Sequence, residues 1–167
     1  MARNVFFSFH FNNDFWRTQQ VRNMGALAGQ KLYTPNEWEE VKKKGSGAIE
    51  KWIDDSLVGK TCVVVLVGAE TANRPWVVTE MIKGWNSGKG IVAIRINKLL
   101  DSKGSSSVAG ANPLDEVTLK KGTARLSSHA KLITPAGADS KAVYADIQAN
   151  IEDWIEEAIE IRKNYKP

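Results

Sequence analysis

Thr61-Cys62-Val63-Val64-Val65-Leu66-Val67 is apolar from its second residue on and rich in β-branched side chains. A strand with one wet face alternates apolar and polar residues. This run does not alternate, so it reads as a central strand of a parallel sheet covered on both faces. Such a strand needs helices around it, and the flanking sequence supplies them. Upstream, Ile49, Trp52, Ile53 and Leu57 fall at i, i+3, i+4 and i+8 on one helical face, and Gly59 ends the helix. Downstream, Gly68 to Arg74 reads as a loop. Pro75 then takes a first helical position, where its missing N–H and fixed φ cost nothing, and the helix runs to about Ser87. After Gly88-Lys89-Gly90 the next strand is Ile91 to Asn97.

The pattern extends to both ends. Val5 to Phe11 is an aromatic-rich strand bounded by Asn12-Asn13-Asp14, with Asp14 expected to cap a helix running to about Leu27 and to reach the crevice above the sheet. Phe15, Val21, Met24 and Leu27 suit its sheet face, while Trp16, Arg17, Gln19 and Gln20 crowd its first turns and suggest that this end lines a site. A polar stretch follows, holding Trp38 and Lys42-Lys43-Lys44. Beyond Asn97, the loop of about 98–123 has no periodicity and holds Gly104-Ser105-Ser106-Ser107, which reads as a functional flap or mobile loop. Lys131 to Thr134 suits a short edge strand. A last helix of about 140–164 carries Ile147, Ile151, Trp154, Ile155, Ala158 and Ile159 on one stripe. Strands alternating with helices give an α/β fold, a flavodoxin-like parallel sheet with helices on both faces, as one domain over 1–167. Ligands of such sheets bind beyond the carboxyl ends of the strands, where the winding reverses. The loops Phe9 to Asp14 and Gly68 to Trp76 are therefore the candidates.

Composition excludes several classes. A chain of 167 residues, 43% hydrophobic and 25% charged, is long enough for one packed core. It has no unbroken apolar stretch of ~18 residues, so no membrane span is expected. Met1-Ala2-Arg3-Asn4 opens without a signal-peptide core, which points to a cytoplasmic protein. Cys62 is the one cysteine and reads as a core residue; with only His10 and His129 beside it, neither disulfide nor metal site is expected. The net charge of +4 is spread out apart from Lys42-Lys43-Lys44 and Lys120-Lys121, and no aromatics interleave with those runs. They read as solvated faces with no nucleic-acid role, though a polyanion such as a dinucleotide would still be attracted. No G-x-G-x-x-G follows a strand. Gly84-Trp85-Asn86-Ser87-Gly88-Lys89-Gly90 closes a helix and is a turn rather than a phosphate loop.

One carboxylate stands in the wrong place. Trp76, Val77, Glu80, Met81, Gly84 and Trp85 share a helical stripe, and Glu80 lies inside it. Burying a carboxylate costs several kcal/mol unless it is paired, so Glu80 is either half of a structural pair or a catalytic group. Glu70 reads as a solvated loop residue. His10 is either a proton carrier or a satisfied polar group, and Phe9 and Phe11 read first as core packing.

These residues carry a family likeness. Arg3-Asn4-Val5-Phe6-Phe7-Ser8-Phe9-His10 resembles the opening strand of TIR domains, and Ala72-Asn73-Arg74-Pro75-Trp76-Val77-Val78-Thr79-Glu80-Met81 resembles the TIR segment in which a Trp precedes the functional glutamate by four residues. Together with Trp38-Glu39-Glu40-Val41-Lys42-Lys43-Lys44-Gly45, Gly68-Ala69-Glu70-Thr71-Ala72 and Asn112-Pro113-Leu114, the pattern is similar to the TIR-like family of the Thoeris antiphage system, over about Val5 to Leu114. The resemblance implies cleavage of NAD at the nicotinamide–ribose bond and cyclisation of the ADP-ribose part into a signal for a separate effector protein. It assigns the catalytic role to Glu80 and the nucleotide pocket to Ser8, Phe9 and His10. Asn12, Asp14 and Trp76 join them by position. NAD enters as substrate and no cofactor or metal is implied; self-association stays open. Two other classes fit the same sheet: a TIR-like assembly module that catalyses nothing, and a ribosyltransferase acting on free nucleosides.

Overall fold

The Cys62 run becomes β2 (Cys62–Val67), with every residue buried. In the computed structural model, which describes residues 3–32, 34–119 and 124–166, it pairs with β1 (Val5–Phe9) on one side and β3 (Gly90–Arg95) on the other. A short β4 (Lys131–Ile133) adds the far edge, as expected, giving a parallel sheet in the order β1-β2-β3-β4. Helices α1 (Phe11–Arg22), α2 (Pro35–Lys43), α3 (Ser46–Leu57), α4 (Pro75–Asn86) and α5 (Ser140–Asn164) complete a single-domain α/β fold. Among the described residues no helix is long and apolar enough to cross a membrane.

Strand alternation divides the core in two. Val5, Phe7, Cys62, Val64 and Leu66 point to one face, where Val21 of α1 and Ile147, Ile151 and Ile155 of α5 cover them. Phe6, Val63, Val65 and Val67 point to the other, against Ile53 of α3 and Val77, Met81 and Trp85 of α4. The chain therefore leaves β1 over the first face through α1, and leaves β2 over the second through α4. This reversal opens the crevice at the carboxyl ends of β1 and β2.

Three expectations are corrected. β1 stops at Phe9 and α1 starts at Phe11, because the cap is His10 and not Asp14. Asp14 is instead buried inside the helix, its Oδ1 2.8 Å from Arg17 Nη1. Arg17 also donates from Nε to the Leu99 carbonyl at 2.7 Å and from Nη2 to the Ser105 carbonyl at 2.8 Å, so the buried charges are neutralised and fully engaged on the arginine side. Secondly, the stretch around Trp38 is not a polar connection but helix α2. Thr34 Oγ1 accepts from the Glu37 N–H at 3.2 Å while Glu37 Oε2 accepts from the Thr34 N–H at 2.9 Å, a reciprocal cap that Thr34-Pro35-Asn36-Glu37 spelled out.

The third correction concerns residues 98–119, which are fastened to the body rather than forming a free flap. Leu99 and Leu114 are fully buried, the Ser107 N–H donates to the Asn97 carbonyl at 2.8 Å, and Arg95 Nη1 donates to the Gly110 carbonyl at 2.7 Å. Asp101 Oδ1 accepts from the N–H groups of Lys103 and Ser105, both at 2.9 Å, and closes the turn. Lys120-Lys121 and the end of this loop lie outside the described residues.

Gly84 sets how closely α4 approaches β2, since a Cβ there would sit 2.6 Å from Val63 Cγ2. Gly84→Ala should therefore lower stability by about 1–3 kcal/mol in urea denaturation, through overpacking. An unchanged midpoint would show that this contact does not hold the helix in place.

Candidate active site

The period of two in β1 puts Ser8 on the same face as Phe6, under α4. Helix α4 begins at Pro75, and its stripe Val77, Met81, Gly84, Trp85 seats it on the sheet, so Glu80 is carried down onto Ser8. The Ser8 hydroxyl donates to Glu80 Oε1 at 2.6 Å, a short bond of the kind made to carboxyl groups. Both residues are buried. Burial raises the Glu80 carboxyl to about 8, against the opposing pull of the Ser8 bond. At neutral pH it is a carboxylic acid poised to ionise.

Glu80 lines a cavity of about 400 Å³, within the usual range for small-molecule sites. Around it at the carboxyl end of β1 stand His10, Asn12, Arg74 and Trp76. Phe9 and Phe11 continue the wall, their rings stacked at 5.5 Å, and Phe11 stacks in turn on Trp38 at 5.9 Å. The sequence-derived candidates are thus largely brought together, with two differences. Ser8 lies beneath Glu80 rather than on the wall. Asp14 faces a separate cavity of about 500 Å³ shared with Arg17, Asp101 and Ser107, and burial keeps its carboxyl above the ordinary range despite the Arg17 bond. Arg74 and Trp38 were missed: Arg74 precedes the proline that starts α4, and Trp38 sits on the helix read as a polar stretch.

His10 follows neither of the two readings its position allowed. Its Nδ1 accepts from the Asn13 N–H at 3.1 Å, capping α1 and leaving the ring proton on Nε2 in the neutral form. Nε2 is buried with no hydrogen-bond partner among the described residues, and Glu70 Oε2 at 3.9 Å is too distant to serve. Burial, followed by the charge of Arg74, lowers the His10 pKa. In the neutral form the ring is held in one tautomer, with its N–H on Nε2. Glu70 is exposed, as expected, and its Oε2 accepts from Asn13 Nδ2 at 2.6 Å. Among the described residues no group of three or more His, Cys, Asp or Glu side chains is placed to hold a metal ion.

The raised Glu80 pKa ties stability to pH. In the unfolded chain the carboxyl ionises at its ordinary 4.5, in the folded chain at about 8. The folded state holds the proton more tightly, so the contribution is full below the lower value and is lost as pH rises through the upper one. Wild type should lose a few kcal/mol relative to Glu80→Gln across that window in urea denaturation, and Ser8→Ala should move the transition to still higher pH. A difference that stays constant with pH would mean that Glu80 is ionised in the folded protein throughout.

Residues 6–101, more than half of the 167-residue chain, match the family described as "Thoeris protein ThsB, TIR-like domain". A Bacillus cereus (strain MSX-D12) protein named "Putative cyclic ADP-D-ribose synthase ThsB1" is 35% identical over 121 residues, which cover 69% of this chain and 62% of that relative. The match thus spans less than two thirds of the relative's length. Ser8, His10, Trp76 and Glu80 all lie within the matched family segment, and the chain belongs to the Thoeris ThsB family of TIR-like domains.

Proposed function

We propose that the chain cleaves NAD at the nicotinamide–ribose bond and closes the ADP-ribose part into a cyclic product, which serves as a signal to a separate effector in antiphage defence. The observation that carries this reading is the Glu80 carboxyl, held by Ser8 at one end of a cavity that aromatic rings and hydrogen-bond donors also line. The name of the Bacillus cereus relative, a cyclic ADP-D-ribose synthase, supports the cyclising outcome.

The chemistry follows from the residues. The nicotinamide ring of NAD is cationic, and an opposite charge beside a buried carboxyl favours its ionised form. Binding itself would therefore convert Glu80 to the carboxylate. As the glycosidic bond breaks, its electron pair leaves with nicotinamide and the ribose becomes oxocarbenium-like. A fixed carboxylate beside that sugar stabilises the developing charge without having to reorganise. Pro75, Trp76 and Val77 add apolar surface at this end of the cavity, which disfavours water and favours attack by an atom of the ADP portion. His10 and Arg74 offer N–H donors to substrate oxygens.

Incubation of the purified protein with NAD, followed by chromatography and mass spectrometry, should yield nicotinamide and a product of cyclic ADP-ribose mass. Glu80→Gln should lower turnover ~100-fold or more, about 3 kcal/mol of barrier. Near-normal turnover in that variant would remove Glu80 from the chemistry. Silence of the wild type, even with a lysate of infected cells added as trigger, would favour the assembly module. Base release from free nucleosides but not from NAD would favour the ribosyltransferase.

A further inference from the structure

The second cavity, of about 500 Å³, opens between the first turns of α1 and the 101–107 segment, with Asn12 at the divide lining both this cavity and the crevice of Glu80. Two side-chain oxygens of its lining residues are buried without a hydrogen-bond partner among the described residues: Asp14 Oδ2 and Ser107 Oγ. Asp14 is 0% exposed, and its other oxygen, Oδ1, accepts from Arg17 Nη1 at 2.8 Å. Gly68 makes room for this carboxyl, since a Cβ there would collide with it. Ser107 is fixed by its backbone, whose N–H donates to the Asn97 carbonyl at 2.8 Å, so its hydroxyl is placed without being used. A buried oxygen left without a bond costs about 1–3 kcal/mol, and two of them on one cavity call for an occupant that supplies the missing bonds.

The lining narrows the chemistry of that occupant. Two acids, Asp14 and Asp101, are matched by two bases, Arg17 and Lys103, so the ionised side chains cancel. The Arg17 guanidinium is already engaged by Asp14 and by the carbonyls of Asn13, Leu99 and Ser105, which leaves no two-pronged face for a phosphate. Beside these groups Trp16 is 51% exposed and offers a flat apolar surface, while Ser102 and Ser106 add exposed hydroxyls. A polyhydroxylated ring matches this combination. Its hydroxyls donate and accept around the edge, its C–H face is apolar, and it carries no charge.

We propose that this cavity is a second binding site, for a neutral carbohydrate ring, with Asp14 Oδ2 accepting from one hydroxyl, Ser107 Oγ bonding to another and Trp16 covering the C–H face. Both oxygens are screened from bulk water, where a hydrogen bond is stronger than at an open surface. The site holds whether or not the chain cleaves NAD, because its groups belong to α1 and the 101–107 segment and not to the surroundings of Glu80. A free monosaccharide and the end of a glycan chain present the same ring.

The test is a chemical-shift titration of the full chain with glucose, ribose, maltotriose and, as the charged control, glucose 6-phosphate. The Trp16 indole N–H, assigned by its absence in Trp16→Phe, and the Ser107 amide should shift and saturate with at least one neutral sugar. Ser107→Ala should weaken that sugar about tenfold, the loss of one hydrogen bond, and Trp16→Ala should weaken it by a similar factor. The Ser107 hydroxyl bonds to nothing else among the described residues, so its variant reports even if Trp16→Ala loosens α1. Glucose 6-phosphate should bind no tighter than glucose, and Glu80→Gln should leave the titration as in wild type. Tighter binding of a monosaccharide would identify a free sugar as the ligand, and tighter binding of maltotriose the end of a glycan; either sustains the site. It is overturned by the absence of a saturable shift with every sugar, as for a cavity that holds water only, by unchanged affinity in Ser107→Ala, or by tighter binding of the phosphate.

Discussion

Covering both faces of β2 is the constraint on which this molecule depends. Six consecutive buried residues leave no wet side, so apolar helices must lie above and below the sheet. Parallel pairing then requires crossover connections, and these leave β1 and β2 over opposite faces. The crevice is a by-product of that reversal. Its walls are the chain segments that must turn there, His10 to Asn12 after β1 and Arg74 to Val77 at the start of α4.

Glu80 imports a cost into this arrangement. The stripe that seats α4 on the sheet is apolar, and a carboxyl within it gives up its hydration. One hydrogen bond from Ser8 offsets part of this loss, and the remainder appears as a proton held up to about pH 8. A group kept uncharged by its surroundings and ready to ionise beside a cation suits work on a positively charged substrate. The same burial acts in the opposite sense on His10, where it disfavours the charged ring and leaves a neutral donor.

The acids and bases near the strand ends show how local rules compete. Asp14 had the composition of a helix cap, but capping needs only an acceptor one turn ahead of the helix, and His10 Nδ1 supplied it from inside the crevice. Released from that role, Asp14 became the partner of a buried arginine that binds α1 to the 98–105 segment. That segment looked unstructured because it has no period. Its order comes from side chain to backbone hydrogen bonds, which leave no periodic trace in a sequence.

The sequence by itself determined the fold class, the central strand, the terminal helix and the anomaly of Glu80. Each depends on apolar periodicity or on a polar residue that breaks it, and both are local properties. The family resemblance pointed to Ser8, Phe9 and His10, and position at the strand ends added Asn12, Asp14 and Trp76, of which Asp14 faces a separate cavity. Only the tertiary structure decided that Ser8 meets Glu80, 72 positions away in the chain. It alone placed Trp38 on the cavity wall. Strand order and the packing of one helix against another are set by the summed fit of distant surfaces, and no window of sequence contains both surfaces at once.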